Sequence, residues 1–194
     1  MITLKCPLIL ASGSPRRKEL LDAMGLPYLV DVSDADESFS GAPEDMVLEL
    51  SRRKAQAVAA RHDGAIILAA DTIVFCDGVL GKPRDAGDAG RMLAALSGRW
   101  HSVYTGVTMM DTRSGRTLSR ADVTRVHFTV LAPRDIDAYV ATGEPFGKAG
   151  AYAIQGRGGM LIDRIEGSYT NVVGLPTALV RSMLLELEGA AKSE

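Results

Sequence analysis

The run Leu8-Ile9-Leu10-Ala11-Ser12-Gly13-Ser14-Pro15-Arg16-Arg17-Lys18-Glu19-Leu20-Leu21-Asp22-Ala23-Met24-Gly25 decides the fold. Leu8 to Ala11 is a short apolar strand. Ser12 to Ser14 form a loop, Ser14 suits a helix N-cap and Pro15 the first helical position. Leu20, Leu21 and Met24 give the helix its apolar side, and Gly25 suits its C-terminal stop. A strand, a glycine loop and a helix in that order open an α/β chain. Outward from it, Tyr28 to Val32 reads as a second strand and Asp31 to Glu37 as an acidic loop. Pro43 to about His62 reads as a long helix, and Ala65 to Ala70 as an apolar strand ended by Asp71. A loop with Gly78, Gly81 and Pro83 precedes a helix capped by Asp85 and stopped by Gly98.

The second half reads differently. Trp100 to Met110 is a strand, Asp111 to Arg116 a hairpin turn, and the next strand ends in Val126, Phe128 and Val130. Pro133 to Thr142 is a short helix broken by Gly143-Glu144-Pro145. Gly147 to Gly159 is a glycine-rich segment, Met160 to Ile165 a strand, Pro176 to Glu188 the closing helix, and Ala190 to Glu194 a frayed end. Alternation followed by a meander predicts a mixed, twisted sheet flanked by helices.

Composition narrows the function. The chain has 194 residues, 46% hydrophobic and 24% charged, with 22 Lys and Arg against 24 Asp and Glu, a net charge of −2. Its length suits one domain, or one domain in two lobes, and needs no disulfide staples. A near-neutral chain with 5% aromatics lacks the cationic surface and stacking platforms of a nucleic-acid binder. Two cysteines, Cys6 and Cys76, fit a reducing compartment. His62, His101 and His127 lack zinc-ligand spacing. No apolar run reaches a membrane-spanning length, and Met1 to Pro7 is too short for a signal peptide before the first strand. The expectation is a cytoplasmic protein with no membrane partner and no stable nucleic-acid partner.

Four segments carry candidate chemistry. Arg16, Arg17 and Lys18 crowd the positive end of a helix dipole, a conflict that a bound anion resolves. Free backbone N–H groups, the Ser12 and Ser14 hydroxyls and two guanidinium forks would all serve one phosphate. Lys54 shares a helix stripe with Val47, Leu50 and Val58, so it either snorkels to solvent or reaches into a cleft. Asp71 follows an apolar strand, where open α/β sheets place ligands and catalytic groups, and Ile73-Val74-Phe75 after it continue as apolar strand, not as the turn that a capping Asp would start. Lys82 sits between Gly81 and Pro83, and Asp36-Glu37 is a loop pair able to help hold a hard divalent ion beside phosphates. In Lys148 to Gly156, small residues admit a ligand close to the backbone, and Gln155 offers a donor and an acceptor to a base edge. Cations from separated segments, Arg16, Arg17, Lys54, Lys82 and Lys148, with carboxylates Asp71 and Glu37, suit a polyphosphate site.

These residues resemble the Maf family of nucleoside triphosphate pyrophosphatases. The likeness lies in Ser12-Gly13-Ser14-Pro15-Arg16-Arg17, Ala70-Asp71-Thr72, Gly81-Lys82-Pro83, and Leu96-Ser97-Gly98 with His101 and Thr105-Gly106-Val107. It continues in Lys148-Ala149-Gly150-Ala151-Tyr152, Ile154-Gln155-Gly156, and Gly167-Ser168-Tyr169 through Gly174-Leu175-Pro176. The resemblance implies two lobes around a central cleft, a fold akin to inosine triphosphate pyrophosphatase, in one domain over residues 1–194. It also implies a homodimer and a Mg²⁺- or Mn²⁺-dependent hydrolysis of a nucleotide to monophosphate and pyrophosphate. It places the catalytic Asp on Asp71 and substrate discrimination on Arg16, Thr72 and Gln155, in the form that prefers dTTP and UTP. Phosphate binding falls to Ser12, Ser14, Arg17, Lys54 and Lys82, and metal binding to Asp71 and Glu37. Asp71 then either binds the metal or takes the proton of the attacking water. Gly147 stands where the family carries an Asp before Lys148. Two alternatives accompany this reading: a nucleotide-binding regulator of cell division and septum formation, and the same reaction on modified purine nucleotides such as 7-methyl-GTP.

Overall fold

A computed structural model describes residues 3–189, so the end expected at Ala190 to Glu194 lies outside the described residues. The elements run β1 (Leu8–Leu10), α1 (Pro15–Ala23), β2 (Leu29–Val30), α2 (Pro43–Ala59), β3 (Ile66–Phe75), β4 (Val79–Leu80), α3 (Ala86–Leu96), β5 (Trp100–Asp111), β6 (Thr117–Phe128), α4 (Pro133–Ala141), β7 (Ile162–Glu166), α5 (Tyr169–Val173) and α6 (Thr177–Leu187). Two short 3₁₀ turns, Ala149–Ala151 and Arg157–Leu161, lie between α4 and β7. The strand order is β2-β1-β3-β5-β6-β7, with β4 paired to β3. β1 is parallel to both β2 and β3, whereas β3–β4 and β6–β7 are antiparallel, so the sheet is mixed as expected.

By internal contacts the chain divides into two compact units. The first comprises Met1–Asp71, Thr105–Asp122 and Gly174–Glu194; the second comprises Thr72–Tyr104 and Val123–Val173. In the first, β1 and the opening half of β3 are buried throughout, because helices cover both faces. The period of two sorts their side chains. Leu8, Leu10, Ile66, Leu68 and Ala70 pack with Leu21 of α1 and with Val180, Met183 and Leu184 of α6. Ile9, Ala11, Ile67 and Ala69 pack with Ala55 and Val58 of α2. Each fully buried large aliphatic contributes about 1.5–3 kcal/mol. The second unit has its own core, in which Leu93 and Leu96 of α3 and Ile136 and Tyr139 of α4 meet Val126, Phe128 and Tyr152.

Several boundaries depart from the sequence reading. Strand β3 does not end at Asp71 but runs through it to Phe75, joining the apolar run Ile73-Val74-Phe75 to the strand before it. The loop around Gly78 contains β4, turned back by Asp77 in the left-handed region. β6 ends at Phe128, and Val130 lies beyond it, 86% exposed. β7 starts at Ile162 rather than Met160, because the second 3₁₀ turn extends to Leu161. Helix α2 stops at Ala59, and α5 is an added turn. Ser14 occupies the N-cap position of α1, but its hydroxyl makes no capping bond.

Candidate active site

The loop after β1 turns its polar groups onto one another. Ser12, 7% exposed, accepts from the Arg17 guanidinium at 3.0 Å and from the Ser14 backbone N–H at 3.3 Å. Arg17 Nε donates to the Gly174 carbonyl at 2.9 Å, which ties the first turn of α1 to the segment entering α6. Thus Ser12, not Ser14, organises this loop. Burial lowers the Arg17 pKa, and the charges of Asp71 and Glu37 oppose that shift. Burial also lowers that of the neighbouring Arg16. The first turn of α1 contains no acidic residue, so its dipole and its cations all present positive charge.

Lys54 resolves its two readings in favour of a buried polar contact. Val47, Leu50 and Val58 of α2 are buried, and the Lys54 side chain is only 12% exposed. Its ammonium donates to Asp71 Oδ1 at 2.6 Å and lies 2.7 Å from Glu37 Oε1. Asp71 is 13% exposed and Glu37 55%, so the inner pair is shielded while the outer carboxylate stays open to solvent. The acidic pair of the sequence therefore splits. Asp36 accepts from the Ser38 backbone N–H at 2.9 Å and sits 3.9 Å from Arg53, leaving Glu37 as the one that meets Lys54. Arg53, one residue before Lys54, also donates to the Ser38 carbonyl and pairs with Glu49, so α2 fixes the loop on both sides of Glu37.

Gly106 of β5 explains part of the Thr105-Gly106-Val107 motif. A side chain there would run into the backbone of Val47 and Leu48, so only glycine lets α2 approach this strand closely enough to seat Lys54. Ser51 of the same helix faces Thr108 at 2.9 Å, a buried polar contact that fixes the register.

Two carboxylate oxygens converging on one cation form a hard-oxygen pair. Mg²⁺ is commonly bound by one or two carboxylates plus substrate phosphates, so Asp71 and Glu37 have the right chemistry and number. Among the described residues, no cluster of three or more His, Cys, Asp or Glu offers an all-protein metal cage.

The remaining sequence candidates belong to the second unit: Thr72 follows Asp71 along β3, Lys82 follows β4, and Gln155 lies exposed between the 3₁₀ turns. Gly150 N donates to the Gly81 carbonyl at 3.1 Å, joining the segment of Lys82 to the glycine-rich segment. The Lys148 ammonium donates to the Glu144 and Phe146 backbone carbonyls, an arrangement its sequence context did not suggest. Gly147 adopts φ +74°, a conformation that glycine takes at no steric cost and an Asp takes less readily. His101 is buried, with Nε2 2.8 Å from the Tyr152 hydroxyl and its ring edge-on to Phe128. Burial pushes its pKa down to about 4, so it is neutral at pH 7. Tyr139 and Glu144 also escaped the sequence reading, because their partners are backbone groups invisible in a residue pattern.

The family model described as Maf-like protein matches residues 7–187. The dTTP/UTP pyrophosphatase of Moorella thermoacetica is 52% identical over 180 residues, covering 91% of this chain and 93% of its own. That of Bacillus cytotoxicus is 49% identical over 179 residues, covering 90% and 93%. Among solved structures, a HAM1 protein from Coxiella burnetii aligns with a TM-score of 0.50 at 16% identity, over 95% of this chain and all of that one, a likeness of fold.

Proposed function

The chain belongs to the Maf-like family, and from that premise we propose that it hydrolyses dTTP and UTP to the nucleoside monophosphate and pyrophosphate. Relatives about half identical to it carry that activity in their names. The observation that bears most on the chemistry is the shielded Asp71–Lys54 pair with Glu37 beside it. A protein that only bound a polyanion would gain nothing from a buried carboxylate at the phosphates. A hydrolase needs one, to hold a divalent ion or to take the proton of the attacking water.

In this reading Asp71 and Glu37 hold Mg²⁺ or Mn²⁺, which when bound screens the triphosphate charge. Asp71 is the catalytic carboxylate. Ser12, Ser14, Arg17, Lys54 and Lys82 bind phosphate, and the cations tighten on the leaving pyrophosphate as its charge grows. The loop before α1 supports this part, since its backbone N–H groups and cations share the positive end of the helix dipole. Arg16, Thr72 and Gln155 discriminate among nucleotides, with Gln155 donating to a pyrimidine carbonyl and accepting from N3–H. A homodimer and a cytoplasmic location complete the reading. Among the described residues no helix is long and apolar enough to cross a membrane.

The test is release of pyrophosphate from a panel of ribo- and deoxynucleoside triphosphates with Mg²⁺ or Mn²⁺. Preference for dTTP and UTP supports the proposal. Binding without release would leave a nucleotide-binding protein, and preference for modified purine nucleotides would move the specificity.

A further inference from the structure

The segment carrying Gln155 is tied at both ends to one pair of side chains. The Tyr139 hydroxyl, from α4, accepts from the Ala153 backbone N–H at 3.2 Å and donates to Glu144 Oε1 at 2.8 Å. The Glu144 carboxylate also accepts from the Gly158 N–H at 2.9 Å and the Arg157 N–H at 3.0 Å. Ala153 lies two residues before Gln155, and Arg157 two after it. Backbone N–H groups converging on one carboxylate hold a loop more tightly than neutral contacts do. The glycines agree: a side chain at Gly156 would run into the Glu144 carboxylate, and one at Gly158 would lie 2.6 Å from both the Tyr139 hydroxyl and the Ala153 carbonyl. Glu144 is held in turn, since its own N–H donates to Thr142 and its carbonyl accepts from Lys148. Just before the segment, Tyr152 is buried against Phe128 and bonded to His101.

We propose that Glu144, through Tyr139, is a positioning residue for nucleotide selection: the pair clamps residues 153–158 and so fixes where Gln155 presents its amide. This rests on the reading of Gln155 as the base-discriminating residue. Neither the Glu144 carboxylate nor the Tyr139 hydroxyl is assigned to the phosphates, and Lys148 bonds Glu144 through its backbone carbonyl, so loss of the clamp falls on recognition of the base. A displaced recognition group costs on the order of 10- to 100-fold.

The experiment compares wild type with Glu144→Gln, Tyr139→Phe and Gln155→Ala. It measures kcat and KM for dTTP, UTP and dGTP, inhibition by inorganic tripolyphosphate, and amide hydrogen exchange across residues 150–160. Gln carries only one acceptor atom where the carboxylate serves three donors, and Phe removes the bridging hydroxyl while leaving the carboxylate its two N–H bonds. For both clamp variants the expected result is faster exchange in this segment and a KM for dTTP and UTP raised roughly 10-fold or more. kcat and tripolyphosphate inhibition hold within about 3-fold, and selectivity over dGTP falls. Unchanged exchange overturns the clamp. A proportional loss in kcat, KM and tripolyphosphate affinity overturns it too, since that marks general structural damage. If Gln155→Ala leaves selectivity intact while the clamp variants accelerate exchange, the clamp survives and the base-reading role of Gln155 fails. If Gln155→Ala shifts selectivity and the clamp variants do not, the positioning role fails alone.

Discussion

In the first unit the decisive side chains hold one another; in the second they are held by backbone. Lys54 bonds Asp71 and contacts Glu37, and Arg17 bonds Ser12, charge to charge or charge to hydroxyl. Gln155 stands on a loop whose shape comes from glycines and from N–H groups collected by Tyr139 and Glu144. The difference predicts how each unit fails. Replacing a charge in the first by a neutral group of the same shape should remove chemistry and leave the fold in place. Changing the scaffold of the second should alter selection or stability and spare the chemistry.

The largest effect belongs to Asp71→Asn. It keeps shape and removes charge, and Lys54 retains Glu37 beside it. Turnover should fall about 10²- to 10⁴-fold, the usual contribution of a positioned acid or base, with nucleotide affinity and melting temperature nearly kept. Pyrophosphate release and equilibrium binding measured separately check this, and wild-type turnover would remove Asp71 from the reaction.

Next comes the stability of the second unit against pH. The folded His101 pKa is depressed from the ordinary 6.5 to about 4. A histidine held neutral stabilises above the unfolded value and loses that contribution as pH falls toward the folded one. Stability should therefore drop by about 3 kcal/mol between pH 6.5 and 4 on account of this one group. Denaturant unfolding of wild type and His101→Gln over that range reads it. Equal slopes for the two would show that His101 is not the group responsible.

Lys54→Met comes third. It keeps the stem on the apolar stripe and deletes a charge-assisted contact, roughly 1.5–3 kcal/mol or 10- to 150-fold in kcat/KM, and the melting temperature falls as well, because the shielded Asp71 carboxylate loses its cation. Arg16→Ala should act in the same direction. Full activity in Lys54→Met would reduce Lys54 to a structural ion pair. The smallest effect is Gln155→Glu, which leaves a pyrimidine carbonyl facing a negative charge. Activity on dTTP and UTP should fall relative to other nucleotides by roughly 10-fold, with metal dependence unchanged. A uniform drop across bases would make Gln155 structural and erase the contrast between the units.

What could be read beforehand follows the same division. Lys54 was visible because a lysine on an apolar stripe breaks a pattern, and Pro15, Gly25 and Gly98 because each punctuates a helix. Asp71 was visible as a candidate, since apolar strand residues Ile73-Val74-Phe75 follow it where a turn would not allow them, but its cation partner, on another element, was not. Ser14 looked like the cap, yet Ser12 does the bonding, because Arg17 reaches back to it across the loop. β4, two residues long, left too little periodicity to detect. Glu144 read as a helix breaker between Gly143 and Pro145. Its role depends on backbone N–H groups more than ten residues away, and a backbone donor has no letter in a sequence.

Which bond water breaks decides whether this chain is a pyrophosphatase. Hydrolysis of dTTP in ¹⁸O-labelled water, with products resolved by mass spectrometry, tests this directly. Attack at the α-phosphorus yields thymidine monophosphate and pyrophosphate in equal amounts, one labelled oxygen in the monophosphate and none in the pyrophosphate, and the signal is lost in Asp71→Asn. Label in released orthophosphate, with thymidine diphosphate as the other product, or label in pyrophosphate, would contradict it.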